Sequence, residues 1–420
     1  MKKARILVSL LLVLVLVSAA LAVVACTGNN DDRIELLLWG PSAEQTFLKS
    51  WADKWAKDYT DSQGNKYKVK IGIMGEGDAG TTVMNAPQDA ADVFSFADDQ
   101  LEKLIAAGGL ASLGNIKTGA KAKRIAEANA AGSVTAATHG SGDDAELYAY
   151  PLTADNGYFL YYDSSVLSET DILKWDTIIA KAEQAGKSYC IDYGTAWYQA
   201  SWFFTFGGTV SASATNFDTD EVGLKALRAA YNFSKSSAFK SMAPAEASND
   251  LNKGDMIALI SYPSLYSDIT NPNIKLAPLP AITLDGTDYP MYSFLGSKLL
   301  GVNGQGKYME ASHALAEYMS GEEVQIARAK DLYSGPSNLK AAASDVAKSL
   351  PTVQALALQA AHSQPQVNLP AGFWEALPTC VNAVKFGGTD VGDYFTAEGQ
   401  PIESALRELL AALKAGFKLA

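Results

Sequence analysis

The 420-residue sequence contains few cysteines and few histidines, three of each, and both kinds are scattered along the chain. They form no closely spaced cluster of the kind that binds zinc, and three cysteines cannot supply a dense disulfide framework. Positive charge is also scarce, with 34 Lys and Arg against 46 Asp and Glu and a net charge of −12. Because phosphate recognition needs a basic field, this balance argues against nucleic-acid binding.

The sequence lacks the short motifs of common enzymes. It contains no Gly-x-Ser-x-Gly elbow, no phosphate loop and no His-Glu-x-x-His. Gly75, Gly77 and Gly80 match only the start of a dinucleotide-binding pattern, and we predict a surface turn there. Asp98 and Asp99 are adjacent, with no distant second acid to complete a glycosidase pair. We therefore predict a protein that is not an enzyme and that has no catalytic residues, metal or cofactor.

Hydrophobic residues make up 48% of the sequence, which is enough for one or two large cores, and the length suggests two domains. Strand and helix signals alternate, which favours an α/β fold with largely parallel sheets. No Pro/Gly linker separates two halves, so we expect two lobes between which the chain crosses several times. The clearest strand signals lie at 34–39, 68–74, 92–96, 158–162, 256–262 and 297–302, and helix signals at 175–185, 222–233, 309–319 and 322–329.

The N-terminus has the layout of a secretory signal. Three positive charges in the first five residues precede an unbroken apolar or small stretch that ends at Ala25. The stretch is also long enough for a retained transmembrane anchor, which is the alternative. The small residues before Cys26 resemble the lipobox of bacterial lipoproteins. That resemblance implies a signal peptide at 1–25, a diacylglycerol on the Cys26 sulfur and a flexible tether at 26–32.

Removal of the signal peptide makes the mature chain more acidic. It leaves 31 basic residues against 46 acidic ones, a net charge of −15 over 395 residues. We interpret this charge as favouring solubility near an anionic envelope rather than binding of a cationic substrate. The expected location is the extracellular face of the bacterial cytoplasmic membrane.

Several aromatic residues fall at strand ends or in loops rather than at core spacings. A pyranose ring has an apolar face that stacks on an aromatic ring and hydroxyls that pair with carboxylates, so these residues suit sugar binding. The alternative is that most of these rings belong to the core, because aromatic residues are highly buried on average. The residues are Trp39, Trp197, Tyr198, Trp202, Tyr262, Tyr266, Phe373 and Trp374.

The order of several segments along the chain resembles the family-1 extracellular solute-binding proteins of ATP-binding-cassette importers. Among these, the chain is most similar to the maltose/maltodextrin-binding branch. The segments that carry the resemblance are 38–40, 92–99, 108–110, 147–151, 158–163, 174–176, 251–263 and 373–374.

The resemblance implies a type II periplasmic-binding-protein-like fold in which two α/β lobes close on a ligand. It implies three hinge crossings, near 153–157, 294–298 and 343–350. It further implies a monomer that binds an oligosaccharide and delivers it to the transmembrane subunits of a permease. The implied lobe boundaries are 33–153 with 298–345 for the N-terminal lobe, and 156–294 with 350–420 for the C-terminal lobe.

The resemblance also implies site residues. Asp99 and Asp155 match acids that bind sugar hydroxyls, and Trp197 and Trp374 match stacking aromatics. Ser264 stands where the family often has Trp, so Tyr262 is expected to stack instead, with Tyr266 as the alternative. Glu44 lies near the position of an acid and a lysine that are missing after the first strand. Asp98 and Trp39 complete the candidate set.

Two other functions remain open at this stage. The same fold binds other small solutes in this family, so a polyol, an amino sugar or a small anion is an alternative ligand. A secreted carbohydrate-active enzyme is the other alternative. Cys190 and Cys380 are expected to be buried thiols, with a disulfide between them as the alternative.

Overall fold

The computed structural model describes residues 32–367 and 369–419. The predicted signal peptide, Cys26 and nearly all of the tether lie outside the described residues. Within the described part of the chain, no helix combines the length and the apolar character needed to cross a membrane.

The first lobe is built on a five-stranded mixed sheet. Ile34–Gly40 pairs in parallel with both of its neighbours, whereas Lys298–Val302 runs antiparallel to both of its own. A core of aliphatic and aromatic side chains, including the fully buried Phe94 and Phe96, packs around this sheet. Across the sheet the strands are Tyr67–Ile73, Ile34–Gly40, Val93–Ala97, Lys298–Val302 and Tyr150–Pro151.

The second lobe repeats this arrangement with a different set of strands. Two pairings are parallel, and the two made by Phe159–Asp163 are antiparallel. Its core is rich in rings, for example Trp175 packed edge-on against Phe233 at 4.8 Å between centroids. Across the sheet the strands are Phe239–Lys240, Ser188–Cys190, Met256–Ser261, Phe159–Asp163 and Ile274–Ala277.

The α/β prediction is confirmed, but the prediction of largely parallel sheets is wrong. In each sheet the antiparallel strand follows directly on a short strand of the hinge, Ser293–Gly296 before Lys298–Val302 and Asn156–Gly157 before Phe159–Asp163. The chain therefore enters each sheet from the side of the other lobe, against the direction of the neighbouring strands.

Helices cover the sheets and fill the spaces between strands. The helices of the first half are Gln45–Asp58, Glu76–Asn85, Leu101–Ala106, Ala120–Ala128, Ala131–Ala136, Trp175–Ala185, Ala196–Thr205, Lys225–Ser234 (preceded by the π-helical turn Asp220–Leu224) and Pro244–Lys253. The helices of the second half are Met309–Met319, Glu322–Leu332, Leu339–Ala342, Asp345–Ser349, Pro351–Gln359, Phe373–Ala383, Val391–Tyr394 and Glu403–Phe417.

Short strands complete the fold, and one small sheet lies at the hinge. In it, Ser293–Gly296 pairs antiparallel with Asn156–Gly157 and parallel with Ser363–Gln364. Both expected crossings near 153–157 and 294–298 contribute to this sheet, whereas the lobe boundaries and the number of crossings stay predictions. The other short strands are Gly114–Asn115, Thr138–His139, Glu146–Leu147, Ile282–Leu284 and Thr287–Tyr289.

The two cysteines of the described residues are free thiols in the second lobe. Cys190 ends a central strand, and Cys380 lies in the helix Phe373–Ala383. Burial raises the pKa of the Cys190 thiol to about 12. The prediction of buried thiols is confirmed, and the alternative of a disulfide is wrong.

Candidate ligand-binding cleft

A cleft with a volume of 670 Å³ opens between the lobes, and both lobes line it. Asp99 follows the strand Val93–Ala97 of the first sheet, and Tyr262 follows the strand Met256–Ser261 of the second. Ligands of open α/β sheets bind beyond the carboxyl ends of strands, which is where this cleft lies. Its volume falls within the range of about 300–1,000 Å³ that is typical of small-molecule sites.

The structure brings six of the eight candidate residues together at the cleft and leaves two outside its lining. Asp98 is buried behind the cleft, where its Oδ2 accepts a hydrogen bond from the backbone N–H of Ser297 at 2.8 Å. Trp39 packs against the core of the first lobe, with its ring beside Gly72. The six residues that line the cleft are Glu44, Asp99, Asp155, Trp197, Tyr262 and Trp374.

Asp99 of the first lobe is bonded directly to two side chains of the second. Its Oδ2 accepts from the indole N–H of Trp374 at 3.1 Å, and its Oδ1 accepts from Nε2 of Gln366 at 3.2 Å. Burial raises the pKa of Asp99, against the opposing effects of the Gln366 bond and of the nearby positive charge of Lys103. The carboxylate therefore sits in a poorly hydrated place with mostly uncharged donors around it.

Gln366 extends this arrangement to a second indole. Its Oε1 accepts from the indole N–H of Trp197 at 2.8 Å and from Nδ2 of Asn156 at 3.2 Å. The amide oxygen of Gln366 faces two donors and its amide nitrogen faces the Asp99 carboxylate, which fixes the orientation of the amide. One buried side chain links Trp197, the hinge residue Asn156 and Asp99.

The cleft aromatics are supported from behind. The backbone N–H of Trp197 is capped by Thr195 Oγ1 at 3.0 Å, and Tyr158 packs edge-on against the Trp197 ring at 4.8 Å. Phe373, which is fully buried, meets the Trp374 ring edge-on at 5.0 Å. These contacts hold both indoles in fixed positions at the cleft wall.

A cluster of charged side chains occupies the hinge side of the cleft. Lys298 Nζ lies 3.2 Å from Glu76 Oε1, and Arg328 Nη1 lies 2.5 Å from Glu44 Oε2. Burial alone would lower the pKa of Lys298, but the negative charges of Glu76, Glu44 and Asp155 raise it. Burial alone would raise the pKa of Glu44, but the charges of Arg328 and Lys298 lower it. The mutual attraction of these groups therefore favours the charged forms of Glu44 and Lys298, whereas burial raises the pKa of Asp155.

Sequence reasoning missed Glu76 because it predicted a surface turn over 75–80, and that prediction is wrong. The segment opens the helix Glu76–Asn85, and both Glu76 and Gly77 line the cleft. A Cβ atom at Gly80 would lie 1.8 Å from Oε1 of Gln100, so any side chain there would have to displace the Gln100 amide where the two elements touch. The helix is too short and too poor in apolar residues for its periodicity to be visible in the sequence.

The cleft presents carboxylates, an ammonium group and indole rings over a small area. This combination suits an uncharged ligand that has both hydroxyls and apolar ring faces. Among residues 32–367 and 369–419, no group of three or more His, Cys, Asp or Glu side chains is arranged to hold a metal ion.

A family model described as bacterial extracellular solute-binding protein matches residues 54–355. The chain belongs to this family. The members are binding proteins that act outside the cytoplasm, and the cleft of this solute-binding protein lies where its two lobes face each other. A comparison with functionally curated proteins found no match.

Solved structures share the two-lobed fold of this solute-binding protein. The maltodextrin-binding protein MalE1 of L. casei BL23 superposes with a TM-score of 0.74 at 23% identity, over 92% of this chain and 100% of that chain. The GacH receptor of Streptomyces glaucescens, solved unliganded and with acarbose, gives 0.71 at 18% identity, over 91% and 97%. The Thermus thermophilus maltotriose-binding protein, bound to maltotriose, gives 0.71 at 17% identity, over 90% and 99%.

Proposed function

We propose that this protein captures an oligosaccharide of the maltose/malto-oligosaccharide class between its lobes and delivers it to the transmembrane subunits of an ATP-binding-cassette importer. In this proposal the mature chain is a monomer, anchored through a lipid on Cys26 to the extracellular face of the cytoplasmic membrane. The observation that carries the proposal is the Asp99 carboxylate at the cleft wall, which is bonded directly to Trp374 and, through Gln366, linked to Trp197. The names of the structural relatives, which include maltodextrin- and maltotriose-binding proteins, support the ligand class.

The geometry explains how such a ligand would be held. An indole that stacks on a pyranose face contributes ~0.5–1.5 kcal/mol, by analogy with aromatic pairs. Hydrogen bonds from hydroxyls to carboxylates such as Asp99 and Asp155 contribute about 1.5–3 kcal/mol each before desolvation costs. Because Trp197 and Trp374 are already fixed by neighbouring rings, little side-chain entropy is lost when the ligand binds.

Titration calorimetry of the purified chain with maltose and longer malto-oligosaccharides tests the proposal. We expect saturable binding to at least one of them. Truncation of Trp374 to alanine should weaken that binding at least about tenfold, or about 1.4 kcal/mol, because it removes both a stacking face and a bond to Asp99. Heat from a polyol or an amino sugar but from no malto-oligosaccharide would assign the cleft to a different solute.

The matched control is Trp51→Ala. Trp51 lies in the helix Gln45–Asp58, packs against Tyr318 and is outside the cleft lining. Its truncation should leave the dissociation constant unchanged. Equal losses of affinity in both variants would show that Trp374 acts through general stability rather than through ligand contact.

A further inference from the structure

Glu76 and Lys298 form an ion pair at the cleft wall of the first lobe. Glu76 opens the helix Glu76–Asn85, Lys298 opens the strand Lys298–Val302, and both side chains line the cleft. Lys298 Nζ lies 3.2 Å from Glu76 Oε1, and the two side chains keep 23% and 17% of their surface exposed. A pair sealed in the core would have almost no exposed surface, so this pair meets whatever occupies the cleft.

Both charged groups retain hydrogen-bonding capacity that the protein does not use. The Lys298 ammonium has three N–H donors, and in the part of the chain that the structure describes Glu76 is its one ion-pair partner. Glu44 and Asp155 act on Lys298 through their charge, which raises its pKa. An ammonium and a carboxylate that serve each other alone leave N–H donors and oxygen lone pairs free for a ligand.

Contacts at the base of the first lobe hold both groups in place. Gln100 Nε2 donates to the backbone oxygen of Glu76 at 3.0 Å, at the start of its helix. The backbone N–H of Lys298 donates to Thr153 Oγ1 at 3.3 Å, and Lys298 pairs with Ala97 in the first sheet. None of these partners lies in the second sheet or its helices, so the geometry of the pair does not depend on the separation of the lobes.

We propose that Glu76 and Lys298 are specificity-determining residues that bind two neighbouring hydroxyls of one sugar unit. The ammonium donates to the oxygen of one hydroxyl, and the carboxylate accepts a hydrogen bond from the other. On an internal unit of a 1,4-linked glucan, the neighbouring free hydroxyls are those on C2 and C3, so the pair recognises these two. This inference rests on the proposed function and specifies which hydroxyls of the ligand the cleft requires.

The charges around the pair fit an uncharged partner. An anionic group would meet the carboxylates of Glu76 and Asp155 as well as Lys298, while the nearby Arg328 is already paired with Glu44. An apolar group would remove water from the ion pair and replace none of its hydrogen bonds. Hydroxyls supply both a donor and an acceptor without adding charge, so they are the groups that this pair binds best.

A site built to bind hydroxyls rejects a ligand that lacks one of them. Replacement of the hydroxyl on C2 or C3 by hydrogen leaves an N–H of Lys298 or an oxygen of Glu76 without a partner once the lobes close on the ligand. We therefore expect the 2-deoxy and 3-deoxy derivatives to bind at least about tenfold more weakly than the unmodified sugar. The penalty of a derivative is defined as the ratio of these two dissociation constants.

Two variants test whether the pair causes these penalties. Lys298→Met alone would leave Glu76 and Asp155 without their cation, so it is combined with Glu76→Gln. In this double variant we expect both penalties to fall below about threefold, because the groups that bind the two hydroxyls are gone. Glu76→Gln alone keeps the cation beside Asp155 and should lower the penalty for one of the two derivatives only.

A surface ion pair provides the matched control. Lys54 Nζ lies 2.7 Å from Glu323 Oε1, and both residues are exposed and outside the cleft lining. Lys54→Met combined with Glu323→Gln makes the same two chemical changes and should keep both penalties at their native values. The 6-deoxy derivative is the control on the ligand, because its penalty should be the same in the native chain and in the double cleft variant.

Titration calorimetry of the purified chain measures these penalties. The ligands are the malto-oligosaccharide that the native chain binds most tightly and its deoxy derivatives, with the change placed in each glucose unit in turn. Since each penalty is a ratio within one variant, a general loss of affinity cancels. Circular dichroism verifies that each variant is folded.

The outcomes separate this inference from the proposed function. If the native chain binds a malto-oligosaccharide but tolerates loss of the C2 and C3 hydroxyls in every unit, the specificity assigned to the pair is wrong. Penalties that persist unchanged in both cleft variants would assign those hydroxyls to other residues and overturn the proposal. If the native chain binds no malto-oligosaccharide at all, the proposed function fails and this inference fails with it.

Discussion

The Asp98 carboxyl holds part of the hinge in place, although it does not line the cleft. Its Oδ2 receives the Ser297 N–H, while its Oδ1 is buried without a hydrogen-bond partner. Gly296 lies so close that a Cβ atom there would be 2.7 Å from Oδ2. The carboxyl therefore fastens the end of the strand Val93–Ala97 to the second crossing.

We expect Asp98→Asn to stabilise the protein at neutral pH by about 1–2 kcal/mol, because an amide needs no charge in this buried place. Burial, reinforced by the charge of Asp99, raises the pKa of Asp98 well above its usual range. A carboxyl whose pKa is raised in the folded state lowers the stability of the protein as the pH rises above about 4, which is its pKa in the unfolded chain. The advantage of the amide should therefore shrink as the pH is lowered toward 4.

Thermal unfolding at several pH values measures this effect. The exposed Asp89→Asn should leave the melting temperature unchanged at every pH, because no buried carboxyl is altered. The quantity to compare is the melting temperature of Asp98→Asn minus that of the parent. If this difference is smaller at neutral pH than at pH 4, the Asp98 carboxylate is stabilised by its surroundings.

Six of the eight site residues predicted from the sequence, among them the four that the family resemblance matched to binding residues, line the cleft. Asp99 directly follows an apolar strand signal, and Trp374 opens a helix after a proline-punctuated loop. Gln366 has no such pattern, since its importance comes from partners that are 169 and 267 positions away. Nothing near Gln366 in the sequence indicates those contacts.

At the scale of elements, the helix Glu76–Asn85 depends on a side chain from another element. Gln100 Nε2 donates to the backbone oxygens of Glu76 and Gly77 at 3.0 and 2.9 Å. The Gln100 side chain packs where Gly80 leaves room for it. The contact holds the first turn of the helix, and with it Glu76, against the cleft.

Gly80→Ala sets two effects against each other. Alanine gains about 1 kcal/mol in helix propensity over glycine. The new Cβ displaces the Gln100 amide, which loses two hydrogen bonds of about 1 kcal/mol each, and it also lies 3.2 Å from the Gln100 Cβ. We expect a net loss of about 1 kcal/mol or more in the free energy of unfolding, measured in urea.

Gly77→Ala is the matched control in the same helix. A Cβ atom at Gly77 meets nothing within 4 Å, so only the propensity gain remains. We expect a gain of about 0.5–1 kcal/mol for this variant. Stabilisation of both variants to the same extent would show that the Gln100 side chain moves aside without lowering the free energy of unfolding.

The sequence predicts best those elements whose apolar pattern continues over several helical turns. The helices at 175–185 and 309–319 begin and end where their patterns indicate, because each has a continuous apolar face. The direction of a strand has no such local signal. The antiparallel course of Lys298–Val302 follows from the path of the chain through the hinge, which the pattern of apolar residues does not encode.

At the scale of the whole molecule, the lobes meet around Asp155 and Lys298. The backbone N–H of Ala154 donates to the Gly335 oxygen at 2.9 Å, and the Asp155 carboxylate accepts from the N–H of Gly335. Lys298 lies beside these segments, and its backbone oxygen accepts from the N–H of Leu152 at 3.0 Å. Three chain segments that are distant in sequence are joined at this point, so its electrostatics affect the whole fold.

We expect Lys298→Met to lower the free energy of unfolding at pH 7 by about 3–5 kcal/mol, the usual cost of breaking a buried ion pair from one side. Methionine keeps most of the volume but leaves Glu76 and Asp155 without the cation that faces them. The loss should shrink as the pH is lowered toward 4, because burial raises the pKa of Asp155 and its protonation removes part of the uncompensated charge.

Lys54→Met provides the control for loss of a lysine charge. Lys54 pairs with Glu323 at 2.7 Å on the surface, and such exposed pairs contribute about 0–1 kcal/mol. Urea unfolding of both variants at pH 7 and at pH 4 separates the two cases. If Lys298→Met costs no more than Lys54→Met at pH 7, then the carboxylates at the hinge are stabilised by other groups, of which Arg328, beside Glu44, is the nearest candidate. A cost for Lys298→Met that is the same at both pH values would instead indicate lost packing rather than lost charge.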